Sequence, residues 1–256
     1  ASISVGSGSY ADAAGNAGAG ATGPTLSIDT QAPSLLITSD VNALKAGETA
    51  TITFTFSEAP TDFSAGDIAV SGGELSAPVV SESDPKVYTA TFIPAVGDEG
   101  TASISVGSGS YADAAGNAGT GATGPTLSID TQAPSLVINS DVDALKAGEA
   151  ATITFTFSEV PTDFSANDVA VSGGQLSSLV ASESDPKVYT ATFTPTAGSE
   201  TTATINVGSG SYADAAGNAG AGATSPALTI DTQAPSLVIT SDVASLKAGE
   251  TATITF

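Results

Sequence analysis

The side chains able to do chemistry in this sequence are carboxylates. Twenty-seven Asp and Glu stand against five basic residues, a net charge of −22, with no Cys, His, Met or Trp. All five basic residues are lysines (Lys45, Lys86, Lys146, Lys187, Lys247), so Arg is absent as well. Without thiol or imidazole there is no Cys- or His-based nucleophile or base, no zinc or haem ligation and no disulfide. A surface this acidic repels nucleic acid and anionic lipid and attracts multivalent cations. The acids recur in fixed company: Tyr-Ala-Asp-Ala-Ala-Gly-Asn at 10–16, 111–117 and 212–218, Ser-Glu-x-Pro-Thr-Asp at 57–62 and 158–163, and Ile-Asp-Thr-Gln-Ala-Pro at 28–33, 129–134 and 230–235. Several carboxylates with an amide suit a hard divalent cation, and calcium accepts six to eight oxygens in the flexible geometry that loops provide.

Other chemistry reads poorly. Paired carboxylates can hydrolyse glycosides, but Trp is absent and Tyr10, Tyr111 and Tyr212 occupy equivalent positions, so no aromatic platform accompanies them. Gly107-x-Gly109-x-x-Ala112 imitates a dinucleotide fingerprint, yet the next strand begins too soon for the helix that motif requires. A Lys–Asn crosslink needs a buried lysine beside an acid, whereas these lysines read as loop residues. The chain is read as non-enzymatic.

The elements that must position the acids follow from a repeat. Residues 1–29 match 102–130 at every position but Ala19 against Thr120, and Tyr10, Tyr111 and Tyr212 give the offset of 101. The expected organisation is the end of one repeat at 1–29, complete repeats at 30–130 and 131–231, and the start of another at 232–256. A period near 100 residues is the size of an immunoglobulin-like sandwich and large enough for its own core. Thr49–Phe56 alternates Ala50, Ile52, Phe54 and Phe56 with threonines. Tyr88, Ala90 and Phe92 share one side of the next long strand, and Ala102, Ile104 and Val106 one side of another. With shorter strands at Leu35, Ile68, Leu75 and Thr126 onward, the expected fold is all-β: tandem immunoglobulin-like sandwiches of about seven strands, placed end to end. No apolar run is long enough to span a membrane as a helix.

Strand alternation sorts the loops to two poles. The loops at 57–67, 81–86 and 111–119 fall beside the domain's own N-terminus, where Asp29 also arrives. Crowded like charges cost roughly 1 kcal/mol per pair in water, and a divalent cation would relieve that cost. The expected calcium ligands are Asp29, Glu58, Asp62, Asp113 and Asn117, then Asp130, Glu159, Asp163, Asp214 and Asn218, with Asp12 and Asn16 left from the preceding repeat. Asp-Ala-Ala-Gly-Asn is equally a good turn, in which Asp caps its own backbone and Gly takes positive φ.

The segments FTFSEAPTDFSAGDIAVSGG, KVYTATFIP, YADAAGNAG and SIDTQAP resemble the bacterial immunoglobulin-like repeats of giant surface adhesins, the biofilm-associated and type-I-secreted kind. The resemblance covers the whole chain. It implies export to the bacterial cell surface, a stalk role in adhesion and biofilm formation, neighbouring repeats of the same chain as partners, and in several relatives Ca²⁺ near the junctions. It leaves two rivals: a module that itself binds glycan or matrix polymer, and a laterally associating extracellular filament or surface-layer subunit.

Overall fold

The structure is a computed structural model describing residues 1–256, all of them placed. The chain divides into two compact units, Ala1–Thr131 and Gln132–Phe256, so Thr131, expected to open the second complete repeat, falls with the first unit.

In the first complete repeat the strands are β1 (Leu35–Ser39), β2 (Ala43–Lys45), β3 (Ala50–Phe56), β4 (Ile68–Ser71), β5 (Gly73–Leu75), β6 (Val79–Val80), β7 (Val87–Pro94), β8 (Glu99–Val106), β9 (Ala122–Thr123) and β10 (Leu127–Asp130). One sheet runs β1-β3-β7-β5, with β6 also on β7. The other sets β8 between β4 and β10, carries β9 on β8, and ends at β2 on β10. Every pair is antiparallel except β2 with β10. Two sheets in this order form an immunoglobulin-type sandwich.

The alternation read from the sequence is the alternation that is buried. Along β3, Ala50, Ile52, Phe54 and Phe56 all point inward, while Thr51 and Thr55 are exposed and Thr53 is half-buried. Ala90 and Phe92 of β7 and Ala102, Ile104 and Val106 of β8 complete the same core with Leu127 and Ile129. The second unit repeats it with Ile153, Phe155, Phe193, Ile205, Leu228 and Ile230. Fully burying an apolar side chain of this size contributes about 1.5–3 kcal/mol, and each unit gathers such a core of its own.

Ten strands stand where about seven were expected, for two reasons. The strand expected from Leu75 is split into β5 and β6 by Ser76–Pro78, and a short β9 precedes the expected last strand, separated from β10 by Gly124–Thr126; in each gap a proline lacks the N–H a ladder needs. The remaining strand is β2, at a stretch around Lys45 expected to be loop. It is three residues long, too short for a visible alternation, and it exists because β10 lies alongside it. None of the five lysines is buried, and no buried side-chain nitrogen or oxygen lacks a hydrogen-bond partner.

Candidate metal centre

The loop between β8 and β9 is built by its own residues. The Asp113 carboxylate Oδ1 accepts the Ala115 and Asn117 N–H groups at 2.9 and 2.8 Å, closing an Asx turn. Gly116 takes φ 89°, which a side chain would resist, and its N–H donates to the Asp113 carbonyl at 3.1 Å. Tyr111 anchors the start of the loop. It is 1% exposed, and its hydroxyl meets the carbonyls of Thr120 at 2.9 Å and Pro33 at 3.1 Å. Its ring lies against Gly119, where a Cβ would overlap it. Phe63, from the loop after β3, packs edge-on to Phe56 at 4.9 Å and to Tyr111 at 6.4 Å, so the two loops share one aromatic floor.

At these loops three acids converge. Asp29, Glu58 and Asp113 each offer a carboxylate oxygen, and these oxygens all lie within 4.8 Å of one another. Asp113 is 2% exposed, Glu58 is half-buried and Asp29 is exposed. The crowding is felt electrostatically. Burial, then the charges of Asp29 and Asp113, push the Glu58 carboxyl above its ordinary range. Asp113 is held below the usual carboxylate range, chiefly by the side-chain hydrogen bond from Asn117.

Of the five residues expected here, then, the structure brings three together as carboxylates and gives the other two different work. Asn117 turns its amide nitrogen onto Asp113 Oδ2 at 2.8 Å and onto the Asp29 carbonyl at 3.2 Å. It orients the cluster and does not add a charge to it. Asp62 stands outside: its Oδ1 accepts the Ala112 N–H at 3.2 Å, and the preceding Thr61 N–H donates to the Ala112 carbonyl at 3.0 Å, stitching the two loops together.

The second unit brings Glu159 and Asp214 within 4.8 Å of each other. Asp214 is 1% exposed, and Asn218, itself 3% exposed, donates to its Oδ2 at 2.7 Å. Asp163 again stands apart, in the left-handed region at φ 60°, with the loops joined there by Thr162 N–H to the Ala213 carbonyl at 2.7 Å. Asp130, which the repeat puts in the place of Asp29, ends β10. Asp12 and Asn16 keep the turn, Asn16 donating to both Asp12 oxygens at 2.8 and 2.7 Å, and both residues are exposed.

The donor set fits a hard cation. Calcium–oxygen bonds of about 2.4 Å allow two ligands of one ion to lie up to about 4.8 Å apart, which the three carboxylate oxygens satisfy. Hard oxygen donors with no nitrogen or sulfur partner favour calcium or magnesium over transition metals.

A tandem array of immunoglobulin-type sandwiches, each with an acidic loop cluster, is the class of protein these features define. Residues 29–128 and 130–230 each match the bacterial Ig-like domain model, and the chain belongs to that family. Among solved structures it is similar to FdeC, an Escherichia coli adhesin, at 17% identity over 88% of this chain and 72% of that one, with a TM-score of 0.36. It is also similar to the Yersinia pseudotuberculosis adhesin InvE (17% identity, 77% of this chain and 59% of that one, TM-score 0.32) and to the I9–I11 tandem of titin (11%, 83% and 66%, TM-score 0.33). No curated protein matches the sequence. No helix is long and apolar enough to cross a membrane.

Proposed function

We propose that the chain is a non-catalytic extender in the stalk of an extracellular bacterial adhesin, serving adhesion and biofilm formation, and that Ca²⁺ stiffens it. The observation that carries this reading is the convergence of Asp29, which closes one period, with Glu58 and Asp113, which belong to the next. A cation shared by the three ties the chain on either side of Thr30–Pro33 to one point. Membership in a bacterial immunoglobulin-like family and near-identical tandem units support an extender. The net charge of −22 opposes lateral clumping.

Small-angle scattering of the 256-residue chain in millimolar calcium and then in chelator tests this. Calcium is expected to lengthen the maximum dimension and reduce flexibility. A curve indifferent to calcium defeats the stiffening, and glycan capture or ordered polymer at micromolar protein would transfer the chain to one of the rival classes.

A further inference from the structure

The two outer sheet faces of a repeat carry different chemistry. Side chains at directly paired positions share a face. On the β1-β3-β7-β5 sheet, Thr38, Thr53 and Thr89 stand in one row, continued by Val79 of β6. Leu36 and Ile93 project from the same side, and Leu36, Val79 and Ile93 are 61%, 65% and 53% exposed. Glu74 is the single charged residue in these strands. The second unit has Gln175 at that position and no charged residue in the corresponding strands. There Val137 and Val180 take the places of Leu36 and Val79, again more than half exposed.

The opposite sheet is built otherwise. Glu99, Asp130 and Lys45 lie side by side across β8, β10 and β2, and Glu200, Asp231 and Lys146 repeat the row. Hydroxyls on this sheet bond one another, Ser71 with Ser103 at 2.8 Å and Ser172 with Thr204 at 3.0 Å. A chain of net charge −22 thus keeps one face of each repeat almost free of charge, with aliphatic side chains standing in water among threonines.

That chemistry selects the partner. A charged partner finds nothing on this face to pair with. A sugar ring finds no aromatic platform, because the rings of these strands pack inward against one another. A second copy of the same face matches it: threonine hydroxyls both donate and accept, and a two-fold axis sets each face on its own copy without opposing charges. On the other sheet the same approach would bring Glu99 and Asp130 towards their own copies.

Area sets the strength. Four strands about 4.8 Å apart and about 16 Å long make a face of roughly 300 Å². A stable interface buries about 800 Å² per partner, so one face alone holds a pair only weakly. Two such faces tethered in one chain reinforce each other, because the second contact becomes intramolecular.

We propose that the uncharged outer face of the β1-β3-β7-β5 sheet is a homotypic contact through which two copies of this chain pair side by side. Each face is used up by its own copy, so the association is closed and the loop acids still oppose further clumping. The extender reading gives the pairing a setting, stalk beside stalk; the pairing itself rests on the sheet face and fails separately from the calcium response.

Sedimentation equilibrium of the 256-residue chain in about 0.5 M salt, where surface charges are screened, tests it. Between about 10 μM and about 1 mM protein, the average mass should rise from the monomer's 24.7 kDa towards twice that value. Thr91→Glu combined with Thr192→Glu puts one charge on each face at an exposed site and should return the mass to that of the monomer. Ser128→Glu combined with Thr229→Glu adds the same charge to the opposite sheet, also at exposed sites, and should leave the association intact. Glu74→Gln, which gives the first face the charge of the second, should tighten it several-fold; an unchanged constant overturns the part assigned to charge. A mass that stays monomeric in the parent, persists in Thr91→Glu with Thr192→Glu, or falls equally in both double variants overturns the pairing face. Dextran capture by the parent that Thr91→Glu with Thr192→Glu abolishes would give the face to a glycan and overturn it as well.

Discussion

Asn117 engages both carboxylate oxygens of Asp113: its N–H donates to Oδ1 and its side-chain amide to Oδ2, each at 2.8 Å. The same pair forms between Asn16 and Asp12 and between Asn218 and Asp214. It is therefore a property of the Asp-Ala-Ala-Gly-Asn loop itself, which presents an oriented acid beside whatever other charges the fold supplies. Asn117→Ala should lower the melting temperature of the first unit and weaken its response to calcium, read by differential scanning calorimetry with and without chelator. A full calcium response in Asn117→Ala would show that Asp113 needs no such orientation.

Glu58 carries the opposite burden. Its folded-state pKa is raised by burial and by Asp29 and Asp113, so the folded protein resists its ionisation. That penalty is absent when the group is protonated below the ordinary Glu range and grows as pH rises through the raised value. In chelator, Glu58→Gln should be more stable than the parent at neutral pH, with the difference shrinking on acidification. In calcium the order should reverse, because a ligand is lost. Occupancy at ten times the dissociation constant stabilises by about 1.4 kcal/mol. Parallel melting curves for the two proteins from pH 7 to pH 4 in chelator would contradict the crowding.

Asp113 titrates with the other sign. Its lowered pKa, due first to the Asn117 side chain, means a stabilising contribution that is full above the ordinary Asp range and lost as pH falls through the lowered value. Asn117→Ala should move the acid limb of the melting curve to higher pH, checked by circular dichroism at fixed temperature.

Asp62 separates loop stitching from metal binding. Because it contacts Ala112 and not the three-acid group, Asp62→Asn should leave the calcium-dependent rise in melting temperature intact. Isothermal titration calorimetry that found calcium affinity lost in Asp62→Asn would move Asp62 into the ligand set.

The Tyr111 anchor gives a stability test with two depths. Tyr111→Phe removes hydroxyl bonds to Pro33 and Thr120 at a fully buried position, costing about 1–2 kcal/mol in urea unfolding. Gly119→Ala drives a Cβ into the Tyr111 ring, and overpacking of this kind costs about 1–3 kcal/mol or more. The glycine variant should be the weaker of the two, and the reverse order would mean that the ring can yield.

Much of this was legible in the residues. The inward set of β3, Ala50 to Phe56, and the inward sets of β7 and β8 were readable because strand geometry forces apolar residues to every second position. The interruptions at Pro78 and Pro125 were present in the sequence, but what they interrupted was not, since two-residue strands carry no period. The acids of the 57–62 and 111–117 segments were recognisable as neighbours from loop order alone. Their division into Asp29, Glu58 and Asp113 on one side and Asp62 on the other was not: a loop's acids look alike until its backbone is folded and one of them is consumed by an N–H.

By itself, then, the order of residues determined the 101-residue period, the all-β class and the buried faces, because repetition and two-residue alternation are local patterns. Only the tertiary structure decided that β2 exists, that it runs parallel to β10, and which carboxylates meet. Those outcomes depend on pairing between segments such as Ala43 and Ser128, or Asp29 and Asp113, that are far apart in the chain and brought together only when the sandwich closes.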